Sequence, residues 1–197
     1  MSNKLIIFSA PSGAGKTTIV QHILRKFSDQ LEFSISASTR VMRPNEIDGK
    51  DYYFISTEEF KQKIKKNDFV EWEEVYKGQF YGTRKSELDR IWNSGKQVIF
   101  DLDVQGGLNL KRKYGRQSFA IFVMPPSIEA LELRLRQRKT ETKESLAKRV
   151  LKAKEEILVA DQFDKIIVNE NLDKACADAE KLVGIFLNKS PDPKGSV

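Results

Sequence analysis

The chain has one cysteine and one histidine in 197 residues. A single cysteine excludes an internal disulfide, and no Cys/His set is available from which a structural zinc site could be built. Long apolar runs are also missing. Runs such as Leu5 to Phe8 and Ile166 to Val168 have the length of strands and fall far short of the ~20 residues that cross a bilayer. Met1 to Lys4 lead straight into the first run without an h-region or a small-residue cleavage site, so no signal peptide is expected. Internal repeats and an aromatic RNA-binding motif are absent as well. The lone Cys176 sits in LDKACADAEKLV, a helix-like segment where it reads as a small buried hydrophobe. That usage fits a reducing, cytoplasmic setting.

What is present is ordinary for one globular α/β domain: 40% hydrophobic and 31% charged residues. Basic residues outnumber acidic ones 34 to 28, a net charge of +6. Such a surplus suits nucleic acid but equally suits a pocket for polyphosphates, so charge alone does not choose between them.

Lys4 to Phe8 reads as a buried strand, SAPSGAGKTT as a turn-rich loop and IVQHILRKF as an amphipathic helix. Residues 33–83 have another texture, rich in Ser, Thr, Tyr and acids with short alternating pieces, which predicts a small, partly β insertion. Ser86 to Asn93 is a helix candidate. Gln97 to Leu102, Phe119 to Met124 and Lys165 to Val168 are further buried strands. A basic helical stretch, Ser127 to Ala160, is interrupted around Lys139 to Thr142, and SPDPKGSV at 190–197 reads as a frayed tail. Strands alternating with helices predict a parallel sheet with helices on both faces and ligands at the strands' C-terminal ends. The core then comprises 1–32, 84–126 and 161–189.

Ala10-Pro11-Ser12-Gly13-Ala14-Gly15-Lys16-Thr17 matches the P-loop pattern except that Ala10 replaces the first glycine. Backbone N–H groups must converge on phosphate oxygens, and Gly13 and Gly15 supply the dihedrals and close approach this needs. The helix that follows adds its partial positive charge. Lys16 can reach the β/γ-phosphates, and the Thr17 hydroxyl can face Mg²⁺. A Gly-rich turn that merely carries Lys-Thr would share the spelling, but not the position between an apolar strand and an amphipathic helix. The signal points to a nucleoside triphosphate and leaves the second substrate open.

QVIFDLD ends in Asp101 and Asp103, whose alternation in an extended chain puts both carboxylates on one face. P-loop enzymes use an acid there for Mg²⁺; a solvated turn with two acids is the plainer alternative.

From Ser9 to about Asn169 the sequence resembles guanylate kinases. The resemblance is carried by APSGAGKTT, FSISASTRVMRPNEIDGKDYYF, EWEEVYKGQFYGT, FDLDVQGG and PPSIEALELRLRQRKTETKESLAKR, in that order. It implies ATP bound by Ser12, Gly13, Ala14, Gly15, Lys16, Thr17 and Thr18, with Asn169 against adenine. It implies Mg²⁺ held through Thr17 and Asp101, and GMP in the insertion. Arg40 and Arg43 are fork-shaped donors suited to a dianionic phosphate, and the phenols of Tyr52 and Tyr81 can donate further hydrogen bonds. Glu71 is the family's carboxylate for guanine N1–H and N2–H₂, an edge that adenine lacks. Ser36, Thr83 and Asp103 complete the GMP side. Taken singly, the arginines and Glu71 read equally as solvated charges and the tyrosines as packing aromatics.

The family's lid maps onto 127–160. Arg134 and Arg138 share a helix face, Arg149 lies beyond the break, and Arg138 also reaches ATP; with Lys16 and Arg40 these arginines form the expected catalytic set. Arg136 and the single His22 receive no role. Besides Ala10, the departures from the family pattern are Met42, where proline is common, and Lys139, where glycine often follows. The expected reaction is transfer of the γ-phosphoryl group of ATP to GMP, with dGMP acceptance and oligomeric state left open and no nucleic-acid or membrane partner. The competing readings are a protein-binding module on the same fold, which typically lacks a working P-loop, and a P-loop kinase for another phosphorylated acceptor, which would lose the guanine set.

Overall fold

The structure, a computed structural model, describes residues 3–137 and 143–188. In chain order it runs β1 (Leu5–Ser9), α1 (Lys16–Lys26), β2 (Leu31–Phe33), β3 (Ala37–Ser38), β4 (Tyr53–Phe54), α2 (Thr57–Lys65), β5 (Phe69–Tyr76) and β6 (Gln79–Arg84). It continues α3 (Lys85–Asn93), β7 (Gln97–Leu102), α4 (Val104–Tyr114), β8 (Ser118–Met124), α5 (Ile128–Gln137), α6 (Lys143–Ile157), β9 (Lys165–Val168) and α7 (Leu172–Asn188).

Every residue of β1 is buried because the strand lies at the centre of a five-stranded sheet, ordered β2-β7-β1-β8-β9 with all neighbours parallel. A parallel strand covered on both faces needs apolar side chains at successive positions, not alternate ones. Ile6 and Phe8 point to one side, against Ile19 and Ile23 of α1 and Ala179 and Val183 of α7. Leu5 and Ile7 point to the other, against Leu88 and Ile91 of α3 and Leu108 of α4. Cys176 is buried on α7 within the first of these layers. The fold is therefore the expected α/β sheet with helices on both faces.

Four core strands were expected and a fifth is found. β2 is a three-residue edge strand pairing Leu31 with Gln97, too short to leave a periodic pattern. Helix α1 starts at Lys16 rather than after Thr18, because Gly15 (φ 90°) turns the chain directly into helix. Residues 37–84 form a second, four-stranded sheet, β4-β3-β6-β5. Two helices, α2 and α4, lie outside the expected set. Ser56 caps α2, accepting from Glu59 N at 3.0 Å, and Phe60 anchors it by stacking on Phe69, ring centroids 4.3 Å apart. The basic stretch forms α5 and α6; the interruption expected at 139–142 and the tail at 190–197 lie outside the described residues. Helix α4 sits very close to β1. A Cβ on Gly107 would come within 2.2 Å of Ser9 Oγ, so only glycine fits at this crossing.

Candidate active site

The loop between β1 and α1 leaves the C-terminal end of the central strand, where doubly wound sheets bind ligands. Gly13 and Gly15 both have positive φ, 95° and 90°, and the Lys16 end of α1 brings unpaired N–H groups to the loop. Ala10 is buried in the core layer beneath it. The departure from glycine thus fills a packed position. Asn169 braces the loop from below: its amide donates to Ala14 O at 2.7 Å, and a Cβ on Gly15 would lie 2.3 Å from that nitrogen. Asn169 is buried, and its Oδ1 has no hydrogen-bond partner. Arg134 donates to the Asn169 carbonyl at 2.9 Å.

At the end of β7, Asp101 accepts from the Thr17 hydroxyl at 2.7 Å and is ion-paired with Lys16, whose ammonium also donates to Leu102 O. Hydroxyl and carboxylate are the hard oxygen donors Mg²⁺ takes, and one or two protein ligands beside phosphate oxygens are its usual complement. Asp103 caps α4, accepting from Gly106 N at 3.3 Å. A Cβ on Gly106 would meet Asp103 Oδ1 at 2.8 Å and Glu71 Oε2 at 2.9 Å, so the two carboxylates converge over this glycine.

Glu71 is 8% exposed and accepts from the Thr83 hydroxyl at 2.8 Å. Burial pushes its carboxyl up to about 8, the Thr83 hydrogen bond opposes this, and nearby Asp103 adds to it. Tyr52 and Tyr81 meet edge to face, centroids 6.0 Å apart, and burial pushes the Tyr52 phenol up to about 12. Arg40 makes a forked pair with Glu46, 2.6 and 2.5 Å, and lies over the Tyr52 ring at 4.9 Å. This raises the guanidinium pKa still further. Arg43 is mostly exposed, with its N–H on Glu46 at 2.8 Å. Met42, the second departure, is exposed on the same loop.

From α6, Arg149 donates to the Ser12 hydroxyl at 2.9 Å. Lys152 lies 3.7 Å from Glu156, whose carboxyl burial pushes up to about 7 against the pull of Lys152. Arg138 and Lys139 lie outside the described residues. His22 faces Glu180 at 3.3 Å on α7, remote from these groups.

A cleft of about 240 Å³ gathers the loop residues 10–18 with Ser36, Tyr52, Glu71, Tyr81, Asp103 and Arg149. Asp101 also lines it, whereas Arg40, Arg43, Thr83, Arg134 and Asn169 stand behind or beside its walls. Tyr76, Lys152 and Glu156 are wall residues the sequence reading missed. Their signal was faint: Arg149, Lys152 and Glu156 recur at helical spacing, on a helix face that otherwise reads as solvated.

Residues 2–184 match the family model described as guanylate kinase. The chain is 47% identical over 189 residues to a guanylate kinase of Bacteroides thetaiotaomicron, covering 96% of this chain and 92% of the relative. It is 47% identical over 186 residues to one of Porphyromonas gingivalis, covering 94% and 99%. Its fold is similar to a crystal structure of guanylate kinase from Anaplasma phagocytophilum, with a TM-score of 0.78 and 28% identity over 95% of this chain and 88% of that one.

Proposed function

The chain belongs to the guanylate kinase family, an ATP:GMP phosphotransferase, and from that premise we propose how its own residues divide the work. The observation that carries the assignment is Glu71, a buried carboxyl set on Thr83 and opening into the same cleft as the phosphate loop.

ATP lies along residues 12–18, whose backbone N–H groups and helix end receive its phosphates. Lys16 exchanges Asp101 and Leu102 O for the β/γ-phosphate oxygens. Thr17 and Asp101 would hold Mg²⁺, which supplies charge neutralisation across those phosphates. GMP is read by Glu71 through guanine N1–H and N2–H₂, with Ser36, Thr83 and Asp103 around the base. Tyr52, Tyr81, Arg40 and Arg43 take its phosphate, Arg40 exchanging the Glu46 carboxylate for phosphate oxygens. The GMP phosphate is already an anionic nucleophile, so no strong base is needed. One of its oxygens bonds to the γ-phosphorus as the bond to the β-bridging oxygen breaks, giving GDP and ADP. Arg134, Arg138 and Arg149 meet the charge spread over the transferred group. Residues 33–83 serve as the GMP insertion and 127–160 as the lid, and the lone buried cysteine is consistent with work in the cytoplasm.

Coupled ADP release with GMP, AMP, CMP and UMP side by side tests this reading. GMP alone should sustain turnover, with AMP slower by ~10⁴-fold, because adenine leaves a desolvated polar group unmet. Comparable rates with AMP would contradict the assignment of Glu71.

A further inference from the structure

Strand β5 carries Glu71, and its pairing with β6 slips twice. Phe69 faces Arg84 while Glu71 faces Thr83, and Glu74 faces Phe80 while Tyr76 faces Gln79. Val70 and Val75 are therefore bulge residues opposite no partner, and bulges re-aim the side chains that follow them. Each bulge carbonyl is taken by a lysine from elsewhere in the chain. Lys113 of α4 donates to Val70 O at 2.9 Å, and Lys152 of α6 donates to Val75 O at 3.1 Å.

The second bulge also turns Tyr76 toward α6. The Lys152 ammonium lies 4.8 Å from the Tyr76 ring centroid and the Arg149 guanidinium 5.7 Å. Both are within reach of a cation–π attraction. Lys152 is steadied from behind by Glu156 at 3.7 Å, and Arg149 reaches Ser12 of the phosphate loop. A continuous set of contacts thus runs from Glu71 along about 16 Å of strand, at ~3.3 Å per residue, to the arginine that touches the ATP loop.

Resting on the functional reading above, we propose that Tyr76 and Lys152 are positioning residues that tie the guanine-reading strand to α6, so that GMP occupancy and the placement of Arg149 over ATP become one event. Neither side chain needs to touch a reacting atom. Guanine bound at Glu71 fixes β5, and the tie passes that constraint to the helix that carries Arg149. By linkage the two substrates then tighten each other's binding, and couplings carried by such elements are on the order of 5–150-fold.

Calorimetry on the full chain tests this, with GMP and a non-hydrolysable ATP analogue titrated singly and each in the presence of the other at saturation. In the parent protein each ligand should tighten the other by about fivefold or more. Tyr76→Leu keeps apolar bulk without a π face, and Lys152→Met keeps the stem without the charge. Both should bind each ligand alone within about twofold of the parent, lose the mutual tightening, and show a lower kcat together with a KM for GMP at saturating ATP that rises by about fivefold or more, as the lost coupling requires. Tyr76→Phe keeps the ring and should behave as the parent. Undiminished coupling in Tyr76→Leu and Lys152→Met would overturn the proposal. So would loss of single-ligand affinity along with the coupling, which marks a merely structural role, and so would failure of Tyr76→Phe to rescue. A parent protein that binds no GMP would overturn the functional reading itself, and the tie with it.

Discussion

Three of the ionisable side chains assigned to a ligand are also held by a neighbour within the protein: Lys16 by Asp101, Arg40 by Glu46, and Glu71 by the Thr83 hydroxyl. Substrate binding is then an exchange of partners, and no bare charge has to be buried beforehand. Replacing Lys16 with Ala removes the mobile cation but leaves the backbone cradle intact. Turnover should fall by ~10²-fold or more, the size of losing one preorganised charge contact. Steady-state kinetics on folded protein check it, and activity within about a factor of two would remove Lys16 from the mechanism. Glu71 carries a pH signature. Its carboxyl titrates near 8 because it is buried, whereas guanine's donors require the ionised form. Below that value the group must lose its proton for GMP to bind, so GMP affinity should rise with pH and level off above it. Between pH 7 and 8 the ionised fraction grows roughly fivefold, and so should the affinity. GMP titrations from pH 6.5 to 8.5 read this directly, since the phosphate is already ionised in that range with its second pKa at about 6. Affinity that is flat across the range would contradict a buried protonated Glu71.

At the scale of elements, the central strands were legible because parallel strands under two helical layers must be apolar at every position, as LIIFS and FAIFVM are. What escaped was either too short for a period or set by tertiary contact. β2 is three residues long, and α2 is anchored mainly by Phe60, its single buried residue. The cleft divides the same way. Lys16, Thr17 and Asp101 were legible because phosphate and metal each demand a residue type at a spacing, whereas Glu71 came only through the resemblance to guanylate kinases. Tyr76, Lys152 and Glu156 were not, since a basic helix face and a strand-end tyrosine look the same whether wet or engaged. The fit of α4 on β1 offers a test of packing separate from catalysis. Gly107→Ala adds helix propensity but drives a methyl into Ser9 Oγ, so chemical denaturation should show a loss of about 1–3 kcal/mol. Adding Ser9→Ala removes the clashing oxygen and should restore most of it. A Gly107→Ala protein as stable as the parent would show that the two elements do not meet this closely.

For the molecule as a whole, the cleft joins groups from the central sheet, the second sheet and α6, so both ligands together should draw these parts closer than either alone. Small-angle scattering of the four ligation states should give the smallest radius of gyration with GMP and an ATP analogue both bound. An unchanged radius in that state would remove closure from the account. The central claim, that one buried carboxylate selects guanine in a cleft whose other wall holds ATP, is tested most directly by Glu71→Gln. The substitution keeps the shape but turns one acceptor into a donor facing guanine's own donors. The kcat/KM for GMP should collapse by ~10²-fold or more, the scale of an unmet buried polar group. ATP-analogue binding, measured separately, should change little. Normal turnover of GMP by the variant, or an equal loss of ATP binding, would contradict it.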